Sequence, residues 1–193
     1  MENPIGWDTN LLTLDGYDEK TTYRVSLKEI YTIHREYELK RKMVGESTQK
    51  TKLKTFKRLM RKYSRRERNR VENKPHNTAK SLVNRSHIFE DLTYMKRNCE
   101  SKSKKKNRQL FKSDLTKLQR MMEYKANWNE YNVIYVNPKN TSKTCSRCGY
   151  VVKTLIEAVF KYPSCGQVTD RQENASVNIY KRGLGIWVFG GLP

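Results

Sequence analysis

The sequence predicts an α/β fold: a mixed sheet with helices packed around it and a small cysteine-bearing module inserted before the last helix. Three observations lead there. Short apolar or alternating stretches are interleaved with helical stripes, in the order three strands, helices, strand, helix, strand, cysteine insert, helix. Acidic residues stand at three separated junctions: Asp8 on the first strand, Glu90 after the fourth, and a cluster at the start of the final helix. Cys145 and Cys148 are spaced C-x-x-C, and Cys165 follows in a Cys-Gly pair.

Each element has its own local reason. Residues 4–14 (PIGWDTNLLTL) and 22–27 (TYRVSL) read as short strands, with Asp15-Gly16 as the turn signal between them. From Leu27 the apolar period lengthens, so that Leu27, Ile30, Ile33 and Tyr37 share a helical face, and Gly45 is expected to break that helix. A second helix carries Leu53, Phe56, Leu59, Met60 and Tyr63 on one stripe. After Pro75 a short helix, about 78–86, leads to HIFEDL, a buried strand ending in acids. Residues 96–108, with Lys104, Lys105 and Lys106 in a row, read as a mobile basic loop. A helix over about 109–124 carries Leu110, Leu115, Leu118 and Met122. YNVIYVNP (131–138) alternates like a strand and stops at Pro138, and the last helix begins near Asp170. Trp7, Trp128 and Trp187 read as core or interface anchors, and Tyr31, Tyr37 and Tyr63 as packing residues in preference to base-stacking platforms.

Composition bounds the partner. A chain of 193 residues is about one domain with a small appendage. Its net charge of +20, from 40 Lys and Arg against 20 Asp and Glu, implies a polyanion, nucleic acid before a membrane surface. No run of about 18 apolar residues exists, and no signal peptide precedes the polar start, so a cytoplasmic, nucleoid-associated protein is expected. Four cysteines, two of them in C-x-x-C, indicate metal in a reducing compartment in preference to disulfides. From Lys40 to Arg70 stand fourteen Lys or Arg against only Glu46 and Glu67. A balanced charge run would be an ordinary solvated face, but one sign dominates here. Lys54, Lys57, Arg58, Arg61, Lys62, Arg65, Arg66 and Arg68 are therefore candidate phosphate contacts, with Lys104, Lys105 and Lys106 in the loop.

The element order is compatible with a ribonuclease H-like sheet. In such a sheet the first and fourth strands lie side by side, so that distant acids converge on divalent metal. Two ions about 3.5–4 Å apart activate water and stabilise the leaving oxygen of a phosphodiester, and hard ions such as Mg²⁺ need oxygen ligands. An isolated acid at a strand end is usually a cap or a surface residue. The coincidence of three makes the nuclease reading competitive.

NPKNTSKTCSRCG followed by DRQENASVNI resembles the C-terminal half of TnpB (OrfB), the insertion-sequence, transposase-associated protein related to type V CRISPR effectors. GWDTN looks like the first RuvC motif of that family and HIFEDL like the second, and the resemblance covers nearly the whole chain. It implies a RuvC-like nuclease core over 1–140 with a basic helical insert at about 40–70, a degenerate zinc ribbon over 141–168, and a final RuvC helix and tail over 169–193. Asp8 then matches the first catalytic aspartate, and Glu90 the glutamate of the second motif, with Asp91 beside it. The third motif reads Asp-Arg-Asp-x-Asn-Ala in the family, and its metal-binding aspartate falls on Gln172. Asp170 is the substitute acid to consider, although on a helix it and Glu173 would point about 200° and 100° away from Gln172. The resemblance implies Mg²⁺ or Mn²⁺ at this site, DNA as partner and a guide RNA as a further one.

The ribbon is eroded in the same way. Cys145, Cys148 and Cys165 match three zinc ligands, and Tyr162 stands where the fourth should be; no histidine lies near in sequence. Met1 stands seven residues before Asp8, so the family's guide- and target-recognising part is expected to be missing or supplied by a separate chain. Two readings follow. One is a metal-dependent DNA endonuclease that is weak or inactive and that Gln172→Asp would strengthen. The other is a non-catalytic DNA- or RNA-binding remnant or regulator derived from a transposon protein.

Overall fold

A run of five buried residues, Ile5–Thr9, forms β1 at the centre of a sheet. The structure is a computed structural model that describes residues 1–10, 12–47, 53–82, 84–93, 115–153 and 157–186. The remaining strands of the sheet are β2 (Thr13–Tyr17), β3 (Thr22–Ser26), β4 (His87–Glu90) and β5 (Val133–Val136), and the strand order is β3-β2-β1-β4-β5. β1, β2 and β3 form an antiparallel meander, whereas β1, β4 and β5 run parallel. The helices are α1 (Lys28–Ser47), α2 (Leu53–Ser81), α3 (Leu115–Trp128) and α4 (Arg171–Gly183). A separate two-stranded ribbon, β6 (Val159–Lys161) with β7 (Val168–Asp170), precedes α4. Among the described residues no helix is long and apolar enough to cross a membrane.

The period of two along β1 assigns its two faces. Ile5 and Trp7 enter a core made with Leu14, Phe89, Leu27, Ala79, Leu115, Leu118 and Met122, so the start of α1, the end of α2 and α3 cover that face. Trp7 is wholly buried and donates its indole N–H to His87 Nδ1 at 3.0 Å. Burial lowers the His87 pKa to about 4, which keeps that ring neutral and able to accept. On the opposite face α4 lays Ile179 and Tyr180 against Ile88 and Val136. Gly6 lets it come close: a Cβ there would stand 2.4 Å from the Tyr180 backbone nitrogen and 2.7 Å from the Ser176 carbonyl oxygen. Backbone cannot yield as a flexible side-chain tip can. Gly6→Ala is therefore expected to destabilise the chain by about 3 kcal/mol, read as a lower urea midpoint at unchanged slope; equal midpoints would show that α4 shifts at no cost.

Four sequence expectations change. The Asp15-Gly16 pair is not a turn but the middle of β2, and the chain reverses between β1 and β2 and again between β2 and β3 instead. Gly16 is required because a Cβ there would lie 2.4 Å from the Trp7 ring. Gly45 does not break α1, which runs on to Ser47. A helical glycine costs about 1 kcal/mol relative to Ala, and packing of Ile33 and Tyr37 on Val71 of α2, with Lys42–Glu46 pairing at 3.7 Å, outweighs that. Nor does Pro75 separate two helices, since α2 continues through it to Ser81. An interior proline costs about 3 kcal/mol, yet Val71 before it and Ala79 after it are both buried. α3 also braces the region through Lys117–Glu72 at 2.6 Å and Lys125 Nζ to the His76 carbonyl at 3.0 Å. Finally, Trp128 is 75% exposed and packs on Tyr124, because the core stripe of α3 (Leu115, Leu118, Met122, Ala126) leaves it on the outer side. Trp187, Leu110 and the 96–108 loop lie outside the described residues.

Candidate metal and nucleic-acid site

Strand register builds a row of charge across one face of the sheet. Asp8 of β1 is paired with Asp15 of β2, and Asp15 with Arg24 of β3. On the other side β1 and β4 are parallel with Trp7 opposite Phe89, so one further step sets Asp8 beside Glu90. Directly paired residues share a face, so the row reads Arg24, Asp15, Asp8, Glu90. It lies on the side covered by α4. Asp15, Asp8 and Glu90 are all buried, at 3%, 6% and 8% exposure.

Burial and mutual repulsion set the electrostatics. Burial, reinforced by the Glu90 carboxylate, pushes Asp8 up to about 7, against the opposing effect of the Asn10 amide, which donates to Asp8 Oδ2 at 2.7 Å. Burial likewise raises Glu90, although the Thr141 hydroxyl donates to its Oε1 at 2.5 Å. Two oxygen donors that resist ionising side by side suit a hard divalent cation such as Mg²⁺ or Mn²⁺, which would relieve their repulsion.

The third position is differently engaged. Asp170 is the N-cap of α4: its Oδ1 accepts from the backbone N–H of Gln172 at 2.8 Å and of Glu173 at 3.3 Å. It thus precedes the helix, so angles measured around a helix do not describe its direction. The Gln172 amide oxygen lies 3.4 Å from Arg24 Nη2 and 3.3 Å from Thr13 Oγ1. Arg24 also binds Asp15 through Nε at 2.5 Å and Asp170 through Nη2 at 3.3 Å. Beside this junction opens a cleft of about 240 Å³ lined by Asp15, Arg24, Asp170, Glu173 and neighbours. Asp15 is the acid that reading the sequence missed. Its signal was present in TLDGY, where Leu14 and Gly16 face the Trp7 core and Thr13, Asp15 and Tyr17 face α4.

The cysteine module has two knuckles of one geometry. Gly149 N–H donates to the Cys145 carbonyl and Gly166 N–H to the Tyr162 carbonyl, each at 2.9 Å, and both glycines have positive φ. Cys145 N–H and Tyr162 N–H are likewise matched, bonding Tyr150 and Gln167 carbonyls. Tyr162 therefore occupies the place equivalent to Cys145, and both are buried. Its ring packs edge-on against Phe160, while its hydroxyl is aimed at the Ser142 and Thr144 carbonyls at 3.4 Å. The ligand atoms of Cys145, Cys148 and Cys165 lie within 4.8 Å of one another, with Cys145 and Cys165 sulfurs 3.5 Å apart. Tetrahedral Zn–S bonds of about 2.3 Å need a similar spacing, so the three thiols suit a soft ion such as Zn²⁺. Tyr162→Cys is expected to add the fourth ligand and slow zinc loss to a chelator by at least about tenfold; equal retention by both forms would show that another group already completes the shell.

The final helix ties this module to the carboxylates. Asn174 spans Ser146 N and the Thr144 carbonyl at 2.9 and 2.8 Å, and Asn178 donates to the Thr141 carbonyl at 2.8 Å. Thr141 in turn holds Glu90. The eight candidate cations of α2, Lys54 to Arg68, are all exposed, while Tyr37 and Tyr63 pack between α1 and α2. Lys104, Lys105, Lys106 and Cys99 lie outside the described residues.

Known proteins share this architecture. Residues 116–179 match the Cas12f1-like TNB domain family. A TnpB-like protein of Methanocaldococcus jannaschii is 36% identical over 183 residues, covering 91% of this chain and 64% of the relative. The CRISPR-associated endodeoxyribonuclease Cas12f2 of a Micrarchaeota archaeon is 31% identical over 116 residues, 56% of this chain and 21% of that protein. A Cas12f1 chain solved by cryo-EM with sgRNA and target DNA superposes with TM-score 0.67 at 22% identity, over 93% of this chain and 50% of that one. A CRISPR-Cas12f ternary complex gives 0.70 at 21%, over 91% and 38%. The chain spans 64% and 58% of the length of two TnpB-like relatives from M. jannaschii. The five-stranded mixed sheet with its flanking helices is thus the fold of these Cas12f chains, a ribonuclease H-like sheet with which the element order was compatible.

Proposed function

We propose that this chain, which is TnpB-like and related to the type V CRISPR effectors, is a RuvC-type nuclease half that binds DNA and cleaves it weakly. The observation that carries the reading is Asp8 beside Glu90 on adjacent parallel strands, both buried and both resisting ionisation. A Mg²⁺ or Mn²⁺ ion bound there would activate water and offset charge on the phosphodiester. Asp8 and Glu90 supply its ligands, Asn10 orients the first and Thr141 the second. The exposed cations of α2 hold the nucleic acid backbone, a duplex, a single strand or a guide RNA–DNA hybrid.

In this reading residues 1–140 and 169–193 form the nuclease, and 141–168 form a zinc-holding ribbon that braces Thr141. The protein works in the cytoplasm at the nucleoid. The test is cleavage of single-stranded and duplex DNA with Mg²⁺ or Mn²⁺, alongside Asp8→Asn. Weak cutting, better with Mn²⁺ and lost in the variant, is expected; cutting that survives the substitution rules out this site. A second reading is favoured by one observation: Gln172 stands at the family's aspartate position, and both it and Asp170 face Arg24. On that reading the chain binds nucleic acid as a regulator without cutting, and DNA retention with no cleavage in either metal would establish it.

A further inference from the structure

We infer that the Arg24 guanidinium is a resident cation that takes the place of a second metal ion, making this a one-ion site. The inference rests on the nuclease reading above and deepens it. A second ion needs carboxylates on the side of Asp8 away from Glu90, where two ions together would share Asp8. On that side the sheet offers Asp15, and α4 offers position 172. Both are already turned to one guanidinium. Arg24 Nε donates to Asp15 Oδ1 at 2.5 Å, and Nη2 faces Asp170 Oδ1 at 3.3 Å and Gln172 Oε1 at 3.4 Å.

The donor chemistry points the same way. The Asp15 carboxylate is further occupied by the Thr13 hydroxyl, which donates to Oδ2 at 2.6 Å. A neutral amide at position 172 adds no charge to draw a dication away from a guanidinium that is charged at every accessible pH. An Arg beside a Gln is also self-consistent, because an aspartate at 172 would make a third anion on Arg24 before it made a metal ligand. Arg24 is half exposed and lines the open cleft, so its remaining N–H donors face the space where a phosphate can approach. Gln172 and Arg24 are then two halves of one substitution: an acid and an ion replaced by an amide and a guanidinium. The gain in activity expected from Gln172→Asp alone would accordingly be small while Arg24 remains.

The experiment counts ions. The full chain, with its cysteines loaded with zinc, is titrated with Mn²⁺ by calorimetry and by electron paramagnetic resonance, and the ions lost in Asp8→Asn are scored. One Mn²⁺ is expected for the wild type, for Arg24→Lys and for Gln172→Asp. Two are expected for Arg24→Gln, and two with a tighter second ion for Arg24→Gln combined with Gln172→Asp. Two ions in the wild type, or only one in both Arg24→Gln chains, overturn the assignment of Arg24 while leaving the Asp8–Glu90 site intact. If Arg24→Gln does not fold, Gln172→Asp decides alone: one ion supports the assignment and two overturn it. No difference in Mn²⁺ uptake between the wild type and Asp8→Asn removes the metal site itself, and this inference with it.

Discussion

Asp8→Asn is expected to make the metal-free chain more stable at pH 8 and to abolish its response to Mn²⁺. Both effects come from one carboxyl. In the folded chain Asp8 titrates near 7 because burial, and then Glu90, oppose its charge, whereas unfolded it titrates at its ordinary value of 3.8. A group raised on folding contributes stability that is fully present below the unfolded value and is lost as pH rises through the folded one. Between about pH 4 and 7 the wild type therefore loses stability relative to the variant, and the gap corresponds to on the order of 4 kcal/mol above pH 7. Asparagine carries no charge, keeps the shape, and spares Glu90 its neighbour. In a chain of this size the difference amounts to about 8–16 °C in Tm. Adding Mn²⁺ should reverse the order: the wild type gains stability by binding, and the variant does not. Cleavage, where it is detectable in the wild type, should fall by on the order of 10³-fold. A variant that melts lower than the wild type without metal, or one that gains equally from Mn²⁺, would show that Asp8 is a structural acid and not half of an ion site.

The parts of this site that could be read from the sequence are those that depend on period. β1 and β4 are short and apolar and carry an acid at or next to their ends, and parallel pairing of the first and fourth strands follows from element order, so Asp8 and Glu90 were within reach. The α2 cations were legible because one sign of charge dominates thirty residues while an apolar stripe marks the packed side. What escaped was punctuation overruled by packing. Asp15-Gly16 has the chemistry of a turn, yet Gly16 is there to leave room for the Trp7 ring, and that contact joins residues on different strands. Once Gly16 is placed in β2, Asp15 and Arg24 fall into the charge row. Gly45 and Pro75 were misleading for the same reason: tertiary contacts of α1, α2 and α3 outweigh a local penalty of about 1–3 kcal/mol. The capping role of Asp170 is local, but its hold on Arg24 spans 146 positions and needs the fold.

Replacing Lys57, Arg61, Arg65 and Arg68 together by Gln is expected to weaken binding to a short DNA duplex by about 10²-fold or more at low salt and to flatten its salt dependence. The four residues recur at helical spacing on the outer side of α2 and all are exposed, while Phe56, Met60 and Tyr63 are partly withdrawn from solvent. At about 1.5 Å per residue the row is roughly 16 Å long, the axial length over which one strand of a duplex presents about five phosphates at a rise of about 3.4 Å each. Each duplex phosphate neutralised contributes about 0.9 to the slope of log affinity against log salt, so losing four contacts should lower the slope by up to about 3.6. Glutamine is nearly as good a helix former as Lys or Arg, so circular dichroism should be unchanged and the loss cannot be put down to a melted helix. The control is four exposed lysines on the other side of the site, Lys139, Lys143, Lys153 and Lys161. If affinity came from net charge alone, removing either set would cost the same, because each removes four charges from a total of +20. A cation row in contact with phosphates displaces bound counterions one for one, whereas distant charges act only through a field that salt screens within about 10 Å. Equal losses in the two variants would therefore mean that α2 is not the binding face. A change of slope confined to the α2 variant would place the nucleic acid backbone along that helix.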